Sequence, residues 1–90
     1  MVTDISAFYM VIAKGNDNAK YFLHKDGKRF NLYPDLISCG SCQYVVYKRL
    51  KSAMVAANKV KARYSNLLSK VCVMKYTKQT DEEVFSVNIN

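Results

Sequence analysis

Hydrophobic and polar residues alternate with two different periods along this chain, and the change of period separates strands from one helix. Residues 8–13 are a run of β-formers that stops at the turn-forming stretch 14–18. Residues 20–24 and 29–32 follow as two further strands, because Asp26-Gly27 between them supplies the positive φ angles that a two-residue hairpin requires. The first third of the chain is therefore predicted to be a β-meander.

The middle of the chain begins with a predicted loop over residues 33–42, which contains the only proline and the tetrapeptide Cys39-Gly40-Ser41-Cys42. Residues 43–48 fit two structures. Their β-branched pair favours a short strand, whereas Cys42, Val46 and Leu50 would also align on a helix. We favour a strand followed by a helix.

The helix is predicted over residues 50–64, where apolar positions recur at spacings of three and four residues. At about 100° per residue these positions form one apolar stripe roughly 120° wide. The stripe consists of Leu50, Ala53, Met54, Ala57, Val60 and Tyr64. The cations fall mostly on the opposite side, and Lys61 intrudes at the C-terminal end of the stripe.

Two strands close the chain. Residues 70–76 are apolar on both faces, residues 77–81 form a polar loop, and residues 84–89 place Phe85, Val87 and Ile89 on one side. The order β-β-β-(β)-α-β-β predicts an α+β fold. We expect an antiparallel sheet of four to six short strands with one amphipathic helix packed on one face.

Length limits this chain to a single domain, residues 1–90, because a second core would have too little apolar surface. A domain of this size buries only about 60–65% of its unfolded-chain surface, so a homo-oligomer, a metal or a partner could add stability. We expect no membrane segment and no signal peptide, and therefore a cytoplasmic protein with reduced cysteines.

Charge is the feature that bears most on function. The net charge is +7, and residues 36–80 hold nine Lys and Arg without a single acidic residue. A field concentrated in this way attracts polyanions. The expected partner is a nucleic acid or an acidic protein surface.

Five cations in and before the predicted helix are the candidate contacts, and we call them the helix cations. They are Lys48, Arg49, Lys51, Lys59 and Arg63. The alternative interpretation is that these cations form an ordinary solvent-exposed helix face. Such a face usually mixes signs, because Glu–Lys pairs four residues apart stabilise a helix by about 0.2–0.5 kcal/mol each. This helix has no such pair, which favours a binding role for its cations. Because Lys outnumbers Arg eleven to three, we expect phosphate neutralisation more than base recognition.

The cysteines and the single histidine offer an alternative function, a small structural or adaptor domain stabilised by zinc. His24, Cys39, Cys42 and Cys72 together have the composition of one Cys₃His site. The Cys-x-x-Cys motif is also found in thioredoxin-type dithiols. The antiparallel meander before it and the absence of a later proline disfavour that redox function.

The residue inventory disfavours an enzyme. One histidine allows neither a histidine pair for a metal hydrolase nor a visible Ser-His-Asp set, and there is no glycine-rich phosphate loop. Asp81-Glu82-Glu83 is best explained as solvated charge, which could also fold back and moderate the basic face. We therefore expect a binding protein without a cofactor.

The general layout of the chain resembles small host-modulating proteins of bacterial viruses, such as anti-CRISPR and other early proteins. The resemblance covers residues 20–76 and consists of a Tyr/Phe-rich hairpin, the helix sequence Ala53-Met54-Val55-Ala56-Ala57 and the strand sequence Val71-Cys72-Val73. It implies an inhibitor or modulator of host or defence machinery, which would act by binding a host enzyme or its nucleic acid. It transfers no functional residue.

Overall fold

A computed structural model of the chain describes residues 7–26, 29–34 and 42–89, and all structural statements below concern these residues. They form six strands and one helix. In chain order the elements are β1 (Phe8–Gly15), β2 (Lys20–Asp26), β3 (Arg29–Pro34), β4 (Cys42–Tyr44), α1 (Leu50–Arg63), β5 (Leu68–Tyr76) and β6 (Asp81–Asn88).

The strands form one antiparallel sheet. Five of them lie side by side in the order β3-β2-β1-β5-β6. The sixth strand, β4, is not part of this order and pairs with β2. The single helix packs on one face, across β5 and β1. The predicted α+β class, with an antiparallel sheet and one helix on one face, is confirmed.

The short strand β4 fills a gap where β1 and β2 separate. β1 pairs with the first half of β2, from Ile12↔Phe22 to Lys14↔Lys20. β4 pairs with the second half, and Tyr47 then bridges back to Tyr9 of β1 through two backbone hydrogen bonds of 2.8 Å. The ambiguous stretch 43–48 is therefore a strand end and a bridge, followed by the helix from Leu50.

Several predicted strand boundaries were wrong, because the strands pair with their neighbours over more residues than the sequence indicated. β3 continues through Tyr33 and Pro34, which were assigned to the loop, because they pair with Phe22 and Tyr21. β1 continues to Gly15 and β5 begins at Leu68. β6 begins at Asp81, so all three acidic residues lie in a strand that pairs with β5. The prediction of Asp26 as a turn residue was wrong, because Asp26 is the last residue of β2 and pairs with Arg29. Gly27 and the Cys39-Gly40 part of the predicted loop lie outside the described residues.

The register of the strands divides the sheet into two faces. Val11, Val73 and Phe85 are aligned across β1, β5 and β6, and they lie on the face that carries α1, which we call the helix face. The residues that alternate with them lie on the opposite face, which we call the open face because α1 does not pack on it. Met10, Ile12 and His24 lie on this face and are nevertheless buried. The core on the helix face contains Val11, Ala13, Leu23, Ala53, Ala57, Val60, Leu68, Val71 and Val73.

The helix begins and ends close to its predicted limits. Ala53, Ala57 and Val60 are its buried residues, as the apolar stripe predicted. Both alanines are fully buried, so their small side chains allow the helix backbone to lie close to the sheet. The helix is 14 residues long, about 21 Å. Within the described ranges no helix has the length and apolar content needed to cross a membrane.

The β1–β2 turn contains two residues with special backbone requirements. Asn18 has a φ of 68°, in the left-handed region that asparagine tolerates better than most residues. A Cβ atom on Gly15 would lie 2.9 Å from the ring of Tyr21, so glycine allows this close approach. The turn therefore sets the β1–β2 pairing that continues through Lys14↔Lys20.

Candidate polyanion-binding surface

The five helix cations are all exposed, and the structure divides them into two groups. Lys48, Arg49 and Lys51 surround the first residue of α1, and Lys59 and Arg63 lie one turn apart near its end. Lys51 and Lys59 are separated by about 12 Å along the helix axis. The cations therefore cover the length of the helix and do not form one compact cluster.

The start of the helix has an unusually positive environment. Arg49 occupies the N-cap position with extended backbone angles, and its side chain makes no capping hydrogen bond. The first turn of the helix contains no acidic residue. The positive end of the helix dipole therefore coincides with Lys48, Arg49 and Lys51, an arrangement that is unfavourable for the isolated helix and attractive to an anion.

An open groove of about 580 Å³ lies between α1 and the β2–β3 part of the sheet. It exists because the helix packs over β5 and β1, which leaves the helix face of β2 and β3 partly uncovered. Apolar side chains supply most of its lining, and Lys59 and Arg63 carry its positive charge. The lining residues are Leu23, Phe30, Tyr47, Ser52, Val55, Ala56, Lys59, Val60, Arg63 and Tyr64.

Arg63 has a structural contact as well as an exposed position. Its Nη1 donates a hydrogen bond of 3.0 Å to the backbone carbonyl of Phe30, and its guanidinium lies 5.2 Å from the centre of the Tyr64 ring. The Lys25 ammonium lies 5.8 Å from the centre of the Phe30 ring. Phe30, which is exposed, is therefore contacted by one cation at its backbone and by another at its ring.

The open face carries three lysines side by side. Lys14 of β1 is directly opposite Lys20 of β2 on one side and Lys70 of β5 on the other. Lys70 donates a hydrogen bond of 3.0 Å to Glu83 of β6, which is the only salt bridge among the residues that the structure describes. This hydrogen bond raises the pKa of Lys70.

Two of the acidic residues of β6 lie beside lysines of β5. Glu83 pairs with Lys70, and Glu82 is directly opposite Lys75 in the β5–β6 register. The acids therefore moderate the positive charge of β5, while none of them forms a salt bridge with a helix cation.

Aromatic rings lie beside the lysines on the open face. Phe22 follows Lys20 on this face, and its ring centre is 5.5 Å from the Lys20 ammonium. Phe22 also contacts Tyr44 edge to face, with ring centres 5.7 Å apart. Farther along the same face, Phe8 and Tyr76 are stacked with their ring centres 5.3 Å apart.

The zinc alternative depended on four residues, of which the structure places two in detail. His24 is buried on β2, where its Nδ1–H donates a hydrogen bond of 2.9 Å to the carbonyl of Phe22. Cys72 lies on β5, so strand β1 separates it from β2 by about 9.6 Å in total. Zinc ligands lie only about 2.0–2.3 Å from the metal, so these two residues are not brought together.

The two remaining zinc candidates lie in and before β4. The backbone of Cys42 pairs with Asp26 of β2, whereas Cys39 lies outside the described residues. Within residues 7–26, 29–34 and 42–89 there is no group of three or more His, Cys, Asp and Glu side chains that could hold a metal ion. Burial raises the pKa of the Cys72 thiol, and the neighbouring Glu83 carboxylate raises it further.

Comparisons with protein-family models, with curated proteins and with solved structures find no match to this chain. Its function must therefore be argued from its own residues.

Two features of these surfaces were not predicted from the sequence. The groove depends on where the helix packs across the sheet, and no local pattern reports that position. The row of Lys14, Lys20 and Lys70, which we call the lysine row, could be predicted only in part, because Lys14 begins the predicted turn at 14–18 and Lys20 follows it. The addition of Lys70 requires the β1–β5 register, which joins distant parts of the chain.

Proposed function

We propose that this protein is a non-enzymatic binding protein whose helix cations engage a polyanionic partner. The observation that carries the proposal is that all five helix cations are exposed and none forms a salt bridge with a carboxylate of the described residues. Their charge is therefore not neutralised within the described fold, and it remains available to an external anion. A cytoplasmic inhibitor or modulator of host or defence machinery is the biological role consistent with this surface.

The apolar groove favours an acidic protein surface as the partner. A phosphate backbone is bound by charged and polar groups, whereas this groove places Phe30 and Val55, both exposed, next to Lys59 and Arg63. Protein interfaces combine buried apolar anchors with charged rims in this way. A partner with an apolar side chain surrounded by carboxylates, such as the acidic surface of a nucleic-acid-handling enzyme, matches both properties of the groove.

The proposal is tested by reversing one helix cation and comparing it with a matched surface lysine. Lys59→Glu alters the rim of the groove, whereas Lys78→Glu makes the same charge change in the exposed β5–β6 turn. We expect Lys59→Glu to weaken capture of a partner from lysate by about tenfold or more, because an attractive contact becomes a repulsive one. Lys78→Glu should change capture less than twofold.

The same capture assay separates the two classes of partner. Capture that survives nuclease treatment and weakens at high salt is expected for an acidic protein. Capture abolished by nuclease would show that the polyanion is a nucleic acid. Equal capture by Lys59→Glu, Lys78→Glu and the unmodified protein would contradict the assignment of the binding surface to the helix.

A further inference from the structure

The three lysines of the open face form an arrangement that the fold does not require. Strands are spaced by about 4.8 Å, and like charges directly opposite each other on neighbouring strands are destabilising. Lys14 has such a neighbour on both sides, Lys20 and Lys70. Lys70 is paired with Glu83, whereas Lys14 and Lys20 are exposed and have no salt bridge with any acid that the structure describes. An external anion would relieve this repulsion.

Aromatic rings continue the same surface from the lysine row. Phe22 lies next to Lys20 on the open face and is only partly buried, and it makes an edge-to-face contact with Tyr44. Residues that share a face are about 6.7 Å apart along a strand, so a ring lies one step from the row of cations. Cations beside partly exposed rings match a ligand that alternates negative charge with flat, stackable groups.

We propose that the open face binds single-stranded nucleic acid, with Lys14, Lys20 and Lys70 at the phosphates and Phe22 stacked on a base. A duplex fits this face poorly, because its bases are already stacked on one another and are not free to stack on the ring of Phe22. The groove beside the helix offers a concave apolar surface to a protein side chain, whereas Phe22 lies on the surface of the sheet, where a base can stack on its ring. This site lies on the opposite side of the sheet from the helix cations, so it is independent of the function proposed above.

The test is a fluorescence-anisotropy titration of the full chain with a labelled single-stranded oligonucleotide and with its duplex, over a range of salt concentrations. Three phosphate contacts predict a slope of about −2 for log affinity against log salt, from about −0.7 for each contact with a single strand. Lys14→Gln/Lys20→Gln should reduce the slope to about −0.7. The control Lys78→Gln, at an exposed lysine of the β5–β6 turn outside both surfaces, should leave both affinity and slope unchanged. A helix variant, Lys51→Gln/Lys59→Gln, shows whether the oligonucleotide also uses the helix cations.

The ring is tested separately from the charges. Phe22→Leu should lower the affinity for the single strand by about fivefold or more without altering the salt slope, because it removes a stacking contact and no charge. Phe22→Tyr keeps the ring and should retain the affinity, so it controls for damage to the fold.

Several outcomes would overturn the proposal. These are the absence of oligonucleotide binding at low salt, equal affinity for duplex and single strand, or loss of binding in the helix variant but not in the sheet variant. Nuclease-resistant capture of a lysate protein that depends on Lys14 and Lys20 would also overturn it, in favour of an acidic protein ligand. If the helix variant still binds the oligonucleotide, the site on the open face is distinct from the helix cations. This result would stand even if the function proposed above were wrong.

Discussion

Arg63 of the helix donates a hydrogen bond of 3.0 Å from its guanidinium to the backbone carbonyl of Phe30 in strand β3. This contact spans the groove at its cationic end, and it joins the helix to the part of the sheet over which the helix does not pack. Arg63 is therefore both a candidate partner contact and a structural residue. Its substitution tests folding and binding together, which makes Lys59 the better probe of binding.

Arg63→Ala should lower the free energy of unfolding by about 1 kcal/mol, because it leaves the Phe30 carbonyl without this donor. Lys59→Ala removes a cation one turn away that makes no hydrogen bond within the described residues, and it should change stability by less than about 0.5 kcal/mol. Urea unfolding followed by circular dichroism measures both. Equal stability of the two variants would mean that the Arg63–Phe30 bond contributes nothing.

Arg49 is expected to be a site where substitution stabilises the protein. The N-cap residue already has the extended backbone angles, φ −124° and ψ 138°, that a capping serine adopts, but its side chain caps nothing. Arg49→Ser should therefore exceed Arg49→Ala in stability by about 0.5–2 kcal/mol, which corresponds to a rise in Tm of several degrees.

The alanine variant at this position controls for the loss of positive charge at the helix N-terminus, since both variants lack the cation. If Arg49 contacts the partner, both variants should also capture the partner more weakly than the unmodified protein. A serine variant no more stable than the alanine variant would show that the first turn does not adopt the capped geometry.

The Cys72 thiol is expected to react slowly at neutral pH. Burial, and then the Glu83 carboxylate, raise its pKa, so less of the reactive thiolate is present than in an exposed cysteine. The labelling rate should increase as the pH is raised towards that elevated pKa, and at neutral pH it should be several-fold lower in the native protein than in denaturant.

The labelling experiment requires a Cys39→Ser/Cys42→Ser background, so that Cys72 is the only thiol. In that background Glu83→Gln should speed the reaction, because it removes the negative charge that disfavours the thiolate. Native labelling as fast as in the denatured chain would contradict the burial of Cys72.

The parts of the fold that were predicted well are those determined by local sequence. The stripe from Leu50 to Tyr64 identified the helix because side chains three and four residues apart share a face whatever the helix packs against. β-formers likewise identified strands β1 and β5. The Lys75–Glu82 pairing explains the missed start of β6, because acidic residues disfavour a strand until a neighbouring strand supplies opposite charges.

The candidate surfaces were predicted less completely, because they depend on long-range placement. The exposure of Lys51 and Lys59 followed from the helix period, whereas the role of Arg63 required the position of Phe30. The period of a helix indicates which face is buried, but not which strands it covers. The groove and the lysine row both depend on contacts between parts of the chain that are far apart in the sequence.

The close packing of the helix on the sheet leads to the last prediction. Ala57 is fully buried in the core, so a larger side chain there must push the helix away from β1 and β5. Ala57→Leu should lower the free energy of unfolding by about 1–3 kcal/mol. Ala62→Leu makes the same chemical change at an exposed position of the same helix and should change stability by less than about 0.5 kcal/mol.

The displaced helix should also widen the groove and lengthen the Arg63–Phe30 contact. The Ala57→Leu/Arg63→Ala double variant should therefore lose less stability than the two single effects combined, which a double-mutant cycle measures. Additive effects would show that the helix accommodates leucine without moving, and that the small residues of its stripe do not control the shape of the groove.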